Sequence, residues 1–89
     1  MTNMSLIYFD YFSSIALMGQ IRNQELLNKI AHRIKKLREK TSTTQEQFYF
    51  DTGIHLARIE TGKTNISVST LDAICKYFNL SLEEFFGGI

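Results

Sequence analysis

Apolar and charged residues between Arg22 and Lys40 recur at helical spacing. Four apolar residues follow one another at steps of three, four and three, and so share one face of a helix: Leu27, Ile30, Ile34 and Leu37. Four cations recur at steps of four, three and four on a second face, which we call the cationic stripe: Lys29, Arg33, Lys36 and Lys40. The pattern predicts one amphipathic helix with a basic side.

Two short helices are predicted next. The hydroxyl residues at 41–44 compete for backbone hydrogen bonds and interrupt the first helix. Thr44 and Gln47 then have the spacing of a capping box, so a second helix starts there and carries Phe48 and Phe50 as its apolar residues. The residues at 51–53 form a turn or cap cluster. A third helix follows, and its inner face is formed by Leu56 and Ile59. Gly62 can end this helix in the left-handed conformation.

The rest of the chain predicts two more helices. Ser67 or Ser69 caps a core helix whose apolar residues repeat at helical steps: Val68, Leu71, Ile74, Cys75 and Phe78. Ser81 and Glu84 form a second capping box ahead of Phe85 and Phe86. No segment alternates with the period of two that marks a strand. The predicted class is therefore all-α, with five helices in the main domain.

Residues 1–18 are a different kind of segment, in which apolar side chains surround a single acid, Asp10: Leu6, Ile7, Tyr8, Phe9, Tyr11, Phe12, Ile15, Ala16, Leu17 and Met18. The segment has no basic start typical of a secretory signal, and it is shorter than the ~20 apolar residues of a membrane-spanning helix. We favour an extra helix that packs on the domain or across a dimer interface. A translation start at Met18 and an association with a membrane surface stay open.

Length and charge limit the number of domains and the kinds of partner that this chain can have. Eighty-nine residues form one small domain, which we divide into an apolar extension at 1–20 and a folded domain at 21–89. The net charge is only +1, yet the segment from Arg22 to Lys40 carries +5 and the remainder −4, so one face could meet phosphate. A charge stripe alone is more often just a solvated helix face. The single cysteine, Cys75, is predicted to be a core residue in a reducing cytoplasm rather than a redox sensor.

Four motifs together resemble a known family. They are IKKLR at 34–38, TQEQF at 44–48, ARIETGK at 57–63 and STLDAICKYFNLSLEEFF at 69–86. In this order they resemble the phage-repressor and Cro-like helix-turn-helix regulators, the Xre type, over residues 24–86. The resemblance implies a five-helix, lambda-repressor-like DNA-binding domain whose third helix enters the major groove.

The resemblance is imperfect between Gln45 and Arg58, where this chain is about three residues shorter than the family pattern, nearly one helical turn. Either the second helix loses its last turn and Thr52 caps a recognition helix at 52–61, or the turn is compressed and Ile54 is buried. We prefer the first arrangement, because residues 51–53 make a better helix start than Ile54 and His55.

The resemblance and the inward direction of Leu56 and Ile59 give a predicted DNA-binding set. It comprises base-edge candidates in the third helix together with backbone-contact candidates at the start of the second helix and in the following loop: Thr44, Gln45, Thr52, Ile54, His55, Arg58, Thr61, Lys63, Thr64 and Asn65. Arg58 is the candidate for guanine, with an ion pair to an acid as its structural alternative. Glu60 is predicted to be structural instead and to bind Arg38, because phosphate repels a carboxylate.

We therefore predict a cytoplasmic DNA-binding transcription regulator, a repressor, that acts as a homodimer on half-sites ~34 Å apart. Its dimer contacts would come from residues 1–18 or from the last helix: Leu82, Phe85 and Phe86. The alternative is an antitoxin or other protein-interaction module, in which residues 1–18 grip a toxin partner and DNA binding is auxiliary. Two isolated histidines and no phosphate-binding glycine loop predict no enzyme, no metal and no cofactor.

Overall fold

The computed structural model describes residues 21–89, and the predictions for residues 1–18 lie outside that range. In chain order the helices are α1 (Gln24–Lys40), α2 (Gln45–Thr52), α3 (Leu56–Ile59), α4 (Val68–Tyr77) and α5 (Leu82–Gly87). The described part is thus all-α with five helices, as predicted. None of these helices is both long enough and apolar enough to cross a membrane.

Helix α1 has the predicted amphipathic character. Asn23 caps its start by accepting a hydrogen bond from the Leu26 amide at 3.0 Å. Along the predicted apolar face, Leu27, Ile30 and Ile34 are buried and Leu37 is half-buried. The Thr41 hydroxyl donates back to the Leu37 carbonyl at 3.0 Å, so the hydroxyl run ends the helix as predicted.

The register between α2 and α3 differs from the preferred prediction. Helix α2 keeps its last turn and ends at Thr52, whose hydroxyl donates back to the Phe48 carbonyl at 2.7 Å instead of capping a new helix. Gly53 follows in the left-handed conformation, with φ at 75°, which glycine adopts without strain. Helix α3 starts only at Leu56, with His55 at its N-cap. A recognition helix at 52–61 is therefore wrong, and the compressed turn is present.

Besides Thr52, which caps no helix, three caps were predicted, and two of them form in full. At α5 the Ser81 hydroxyl accepts from the Glu84 amide at 3.0 Å and the Glu84 carboxylate accepts from the Ser81 amide at 3.1 Å. Ser67, the first of the two proposed caps, starts α4. At α2 the capping box is only half formed. Thr44 accepts from the Gln47 amide, but the Gln47 side chain bonds Asp51 at 2.8 Å.

The core takes at least one buried side chain from each helix: Ile30, Ile34, Phe48, Leu56, Ile59, Leu71, Ile74, Cys75 and Phe85. Phe48 lies at its centre, with its ring 4.4 Å from Tyr77 and 5.6 Å from Phe78 between centroids. The Tyr77 hydroxyl donates to the Asp51 carboxylate at 2.6 Å, which ties α4 to α2 and raises the pKa of Tyr77. Cys75 is a core residue as predicted, and burial raises the pKa of its thiol.

Three apolar residues are exposed although the pattern counted them among the apolar residues of their helices. Val68 is 72% exposed and Phe86 is 44% exposed, so neither belongs to the core, and Phe50 of α2 is 86% exposed. Phe85, in contrast, is fully buried inside its own domain. With its side chain fully buried within its own domain, Phe85 presents no surface to a second copy.

Candidate nucleic-acid interface

Helix α3 is a single turn that two buried residues hold in place. Leu56 is fully buried and Ile59 is almost so, which fixes the inward side of the helix. The side chains between them, Ala57 and Arg58, are exposed, as is His55 at the N-cap. The inward direction of Leu56 and Ile59 was predicted, and it directs Arg58 toward solvent as expected.

A partly buried charge network anchors the end of α3. Arg38 of α1 donates to the two carboxylate oxygens of Glu60 at 2.8 and 3.0 Å, which confirms the predicted pair. Arg38 also donates to the Thr43 carbonyl at 3.1 Å, and Gln45 of α2 donates to Glu60 at 3.1 Å. The hydrogen bond to Glu60 raises the pKa of Arg38. Three helices therefore meet at one carboxylate, which sets where α3 lies.

The loop after α3 is tied to α1 and to α3 itself. Gly62 has φ at 75°, the left-handed conformation that was predicted for it, and its carbonyl accepts from the Gln24 side chain. Asn65 donates to the Ile21 carbonyl at 3.0 Å. The hydroxyls of Thr61 and Thr64 donate to the Arg58 carbonyl at 2.6 and 3.3 Å. These bonds give the loop one defined conformation beside α3.

A surface cleft of about 330 Å³ lies between α3 and the start of α4. Five of the predicted DNA-binding residues line it: Ile54, His55, Arg58, Thr64 and Asn65. Its far wall includes Ser67 and Thr70 from the start of α4. Thr61 and Lys63 lie in the adjoining loop, whereas Thr44, Gln45 and Thr52 do not line the cleft. The structure thus brings half of the predicted set into one concave surface.

The predicted residues differ in what their side chains are free to do. Six of them already bond within the protein: Thr44, Gln45, Thr52, Thr61, Thr64 and Asn65. Among the described residues, the side chains of His55, Arg58 and Lys63 make no hydrogen bond or ion pair, and all three are exposed. Ile54 is half-buried against the core and also lines the cleft, and its contact with DNA stays a prediction. Free cationic and ring donors beside a helix suit a nucleic acid.

The family comparison agrees with this geometry. A family model described as helix-turn-helix matches residues 34–85, more than half of the chain. The chain belongs to this helix-turn-helix family. The match confirms the resemblance to Xre-type, lambda-repressor-like regulators, a DNA-binding and regulatory family. No curated protein and no solved structure matches the chain.

Within this helix-turn-helix, Tyr49 was missed by the sequence analysis. Its ring stacks on the His55 imidazole with centroids 4.3 Å apart and planes 28° apart. Tyr49 follows Gln45 by four residues, so both lie on one side of α2, and this spacing was the signal that could have found it. The stack holds the His55 side chain at the start of α3.

The cationic stripe lies away from the helix-turn-helix. Gln24 and Arg38, which contact the α3 side, are close together around the axis of α1. Arg33, nine residues after Gln24, lies about 180° around the same axis and contacts α5 instead. The stripe therefore does not form one surface with the predicted contacts, and its contact with phosphate stays a prediction. Helical periodicity groups side chains on one face but does not say which neighbour covers it.

Proposed function

We propose that the chain is a sequence-specific transcriptional repressor that binds duplex DNA as a homodimer in the cytoplasm. The observation that carries the proposal is that two exposed side chains, His55 at the N-cap of α3 and Arg58 within α3, make no hydrogen bond or ion pair among the described residues. The family match supports DNA as the partner, and these two side chains support a role in selecting bases. Repression follows when such a dimer occupies a promoter.

In this proposal α3 lies in the major groove with Arg58 toward a base edge. A guanidinium can donate two hydrogen bonds to guanine O6 and N7, the commonest specific contact of this kind. His55, held by the Tyr49 ring, donates to a base or a phosphate near the start of α3. Lys63 reaches the phosphate backbone from the loop, and Gln45 and Thr44 lie at the start of α2, where amide groups suit a phosphate. Phosphate contacts set the register, and Arg58 sets the sequence preference.

Arg58→Ala tests the base contact. We expect the preference for the cognate site over random duplex to fall about fivefold or more, since a bidentate base contact is worth about 1–3 kcal/mol. Lys63→Ala is the matched comparison, because it removes a cation of the same interface. It should weaken binding to cognate and random duplex alike and reduce the salt dependence by about one counterion. Fluorescence anisotropy at several salt concentrations measures both effects. A preserved site preference in Arg58→Ala would contradict the assignment.

A homodimer is expected because one turn of α3 offers few base contacts, and two copies double them. Since Phe85 is buried, the contacts fall to residues 1–18 or to Leu82 and Phe86 of α5. Sedimentation equilibrium of the intact chain at the concentrations that bind DNA should give twice the 10.3 kDa of one copy. Phe86→Asp and a chain lacking residues 1–18 then separate the two surfaces. A monomer that still selects its site with full affinity is the result against a dimer.

A further inference from the structure

A second surface cleft, of about 260 Å³, lies between the cationic stripe of α1 and the end of α5. Four basic or titratable side chains of α1 line it together with the two residues that follow α5: Lys29, His32, Arg33, Lys36, Gly88 and Ile89. No carboxylate side chain lines it within residues 21–89. We call it the stripe cleft. Neither the helix-turn-helix match nor the proposed base contacts account for it.

Arg33 is held in the stripe cleft without losing its charge. It donates to the backbone carbonyls of Phe85 at 3.3 Å and Glu84 at 3.4 Å, and its guanidinium carbon lies 5.8 Å from the centre of the Phe85 ring. A Cβ at Gly88 would collide with that guanidinium, so glycine is what lets Arg33 approach. Carbonyls fix the position of a cation but do not neutralise it, which leaves Arg33 prepared for an anion.

The two lysines beside Arg33 can also bind an anion. Lys29 has one partner, Glu25, at 3.5 Å, and both side chains are largely exposed, so this pair is weak and is readily exchanged for another carboxylate. The Lys36 ammonium makes no ion pair within the described residues. Lys29, Arg33 and Lys36 therefore present three cations along two turns of α1, which suits a segment with several negative charges.

We propose that the stripe cleft docks an acidic segment of a partner protein. DNA held by α3 would not cover it, because Arg33 lies about half a turn around α1 from Gln24, which contacts the α3 side. The cleft also contains an apolar end at Ile89. A phosphate backbone has no apolar group to place there, whereas a peptide with an aliphatic side chain between its carboxylates does. The occupant is a protein segment with two or more carboxylates and one apolar side chain, bound at the same time as DNA.

The test is an amide NMR titration of the intact chain with a short peptide of Glu-Glu-Leu repeats as the probe. We expect shifts centred on residues 29, 33, 36, 88 and 89. Lys29→Glu with Lys36→Glu should weaken peptide affinity about tenfold or more, since like charges then face each other. Lys35→Glu with Lys76→Glu changes the net charge equally at exposed positions outside the cleft and should weaken it far less. Gly88→Ala, which displaces Arg33 at unchanged charge, should also weaken it.

Other outcomes overturn the proposal. Equal losses in the two charge-matched double variants would mean that the peptide senses only net charge. A cognate or random duplex that shifts the stripe residues and displaces the peptide would assign the cleft to nucleic acid. Binding of the same peptide with glutamine in place of glutamate would exclude charge recognition. Duplex shifts at residues 55, 58 and 63 test the proposed DNA contacts separately, so each proposal can fail while the other stands.

Discussion

Phe48→Ala is expected to lower the free energy of unfolding by about 3–5 kcal/mol, most of the stability that a domain of this size has. Phe48 is fully buried, and its ring contacts Tyr77 and Phe78 of the α4 end. Alanine would leave a cavity between α2 and α4 that neighbouring helices fill only in part. Because Phe48 is the one fully buried residue of α2, the helix-turn-helix would lose its attachment to the core.

Phe50→Ala is the matched control for that substitution. Phe50 lies two residues further along the same helix, is the same residue type, and is 86% exposed. Its replacement should change the free energy of unfolding by no more than about 0.5 kcal/mol. Urea unfolding followed by circular dichroism measures both variants. Similar losses for Phe48→Ala and Phe50→Ala would contradict the described position of α2.

The parts of the fold that were predicted are those that local spacing determines. In α1 the recurrence of Leu27, Ile30 and Ile34 fixes the buried face without any knowledge of the partner helix. The capping box at Ser81 and Glu84 closes within four residues and needs no tertiary contact. Cys75 follows from the same spacing. These features are properties of one helix at a time.

The α2–α3 turn could not be predicted because its residues suit two registers. Thr52 can cap a new helix or donate back to the preceding turn, and Gly53 can begin a helix or end one. The outcome depends on Phe48 and Leu56 both reaching full burial in the same core, which is a long-range condition. Ile54 is then half-buried against the core while it still lines the cleft. Propensity was therefore outweighed by packing.

In the candidate site too, local spacing predicted some features, and the others depend on tertiary contacts. His55 and Arg58 were predicted to be outward because Leu56 and Ile59 had to be inward, and the structure leaves both free. The neighbour of the cationic stripe could not be predicted, because nothing in the sequence of α1 shows that Arg33 donates hydrogen bonds to carbonyls of α5. The stack of Tyr49 on His55 depends on the same compressed turn that the register prediction missed.

Glu60→Ala is expected to lower the free energy of unfolding by about 1–3 kcal/mol, because it leaves the partly buried donors of Arg38 and Gln45 without their acceptor. The Glu60 side chain is 5% exposed and that of Arg38 is 15% exposed, so water cannot replace the lost carboxylate well. Arg38 would keep only the Thr43 carbonyl, and Gln45 would lose its acceptor. The network joins α1, α2 and α3. The folded fraction of Glu60→Ala should therefore also bind the cognate duplex more weakly than the unchanged protein does.

Two further variants separate the charge from the shape of that network. Glu60→Gln keeps the volume and one acceptor oxygen, and should lose less stability than Glu60→Ala but more than an exposed control such as Glu83→Ala. A double-mutant cycle with Arg38→Met then measures the coupling of the pair, which we expect to exceed about 1 kcal/mol. If the cycle gave no coupling, the stability lost in Glu60→Ala would come from elsewhere. In that case the network would not be what positions α3.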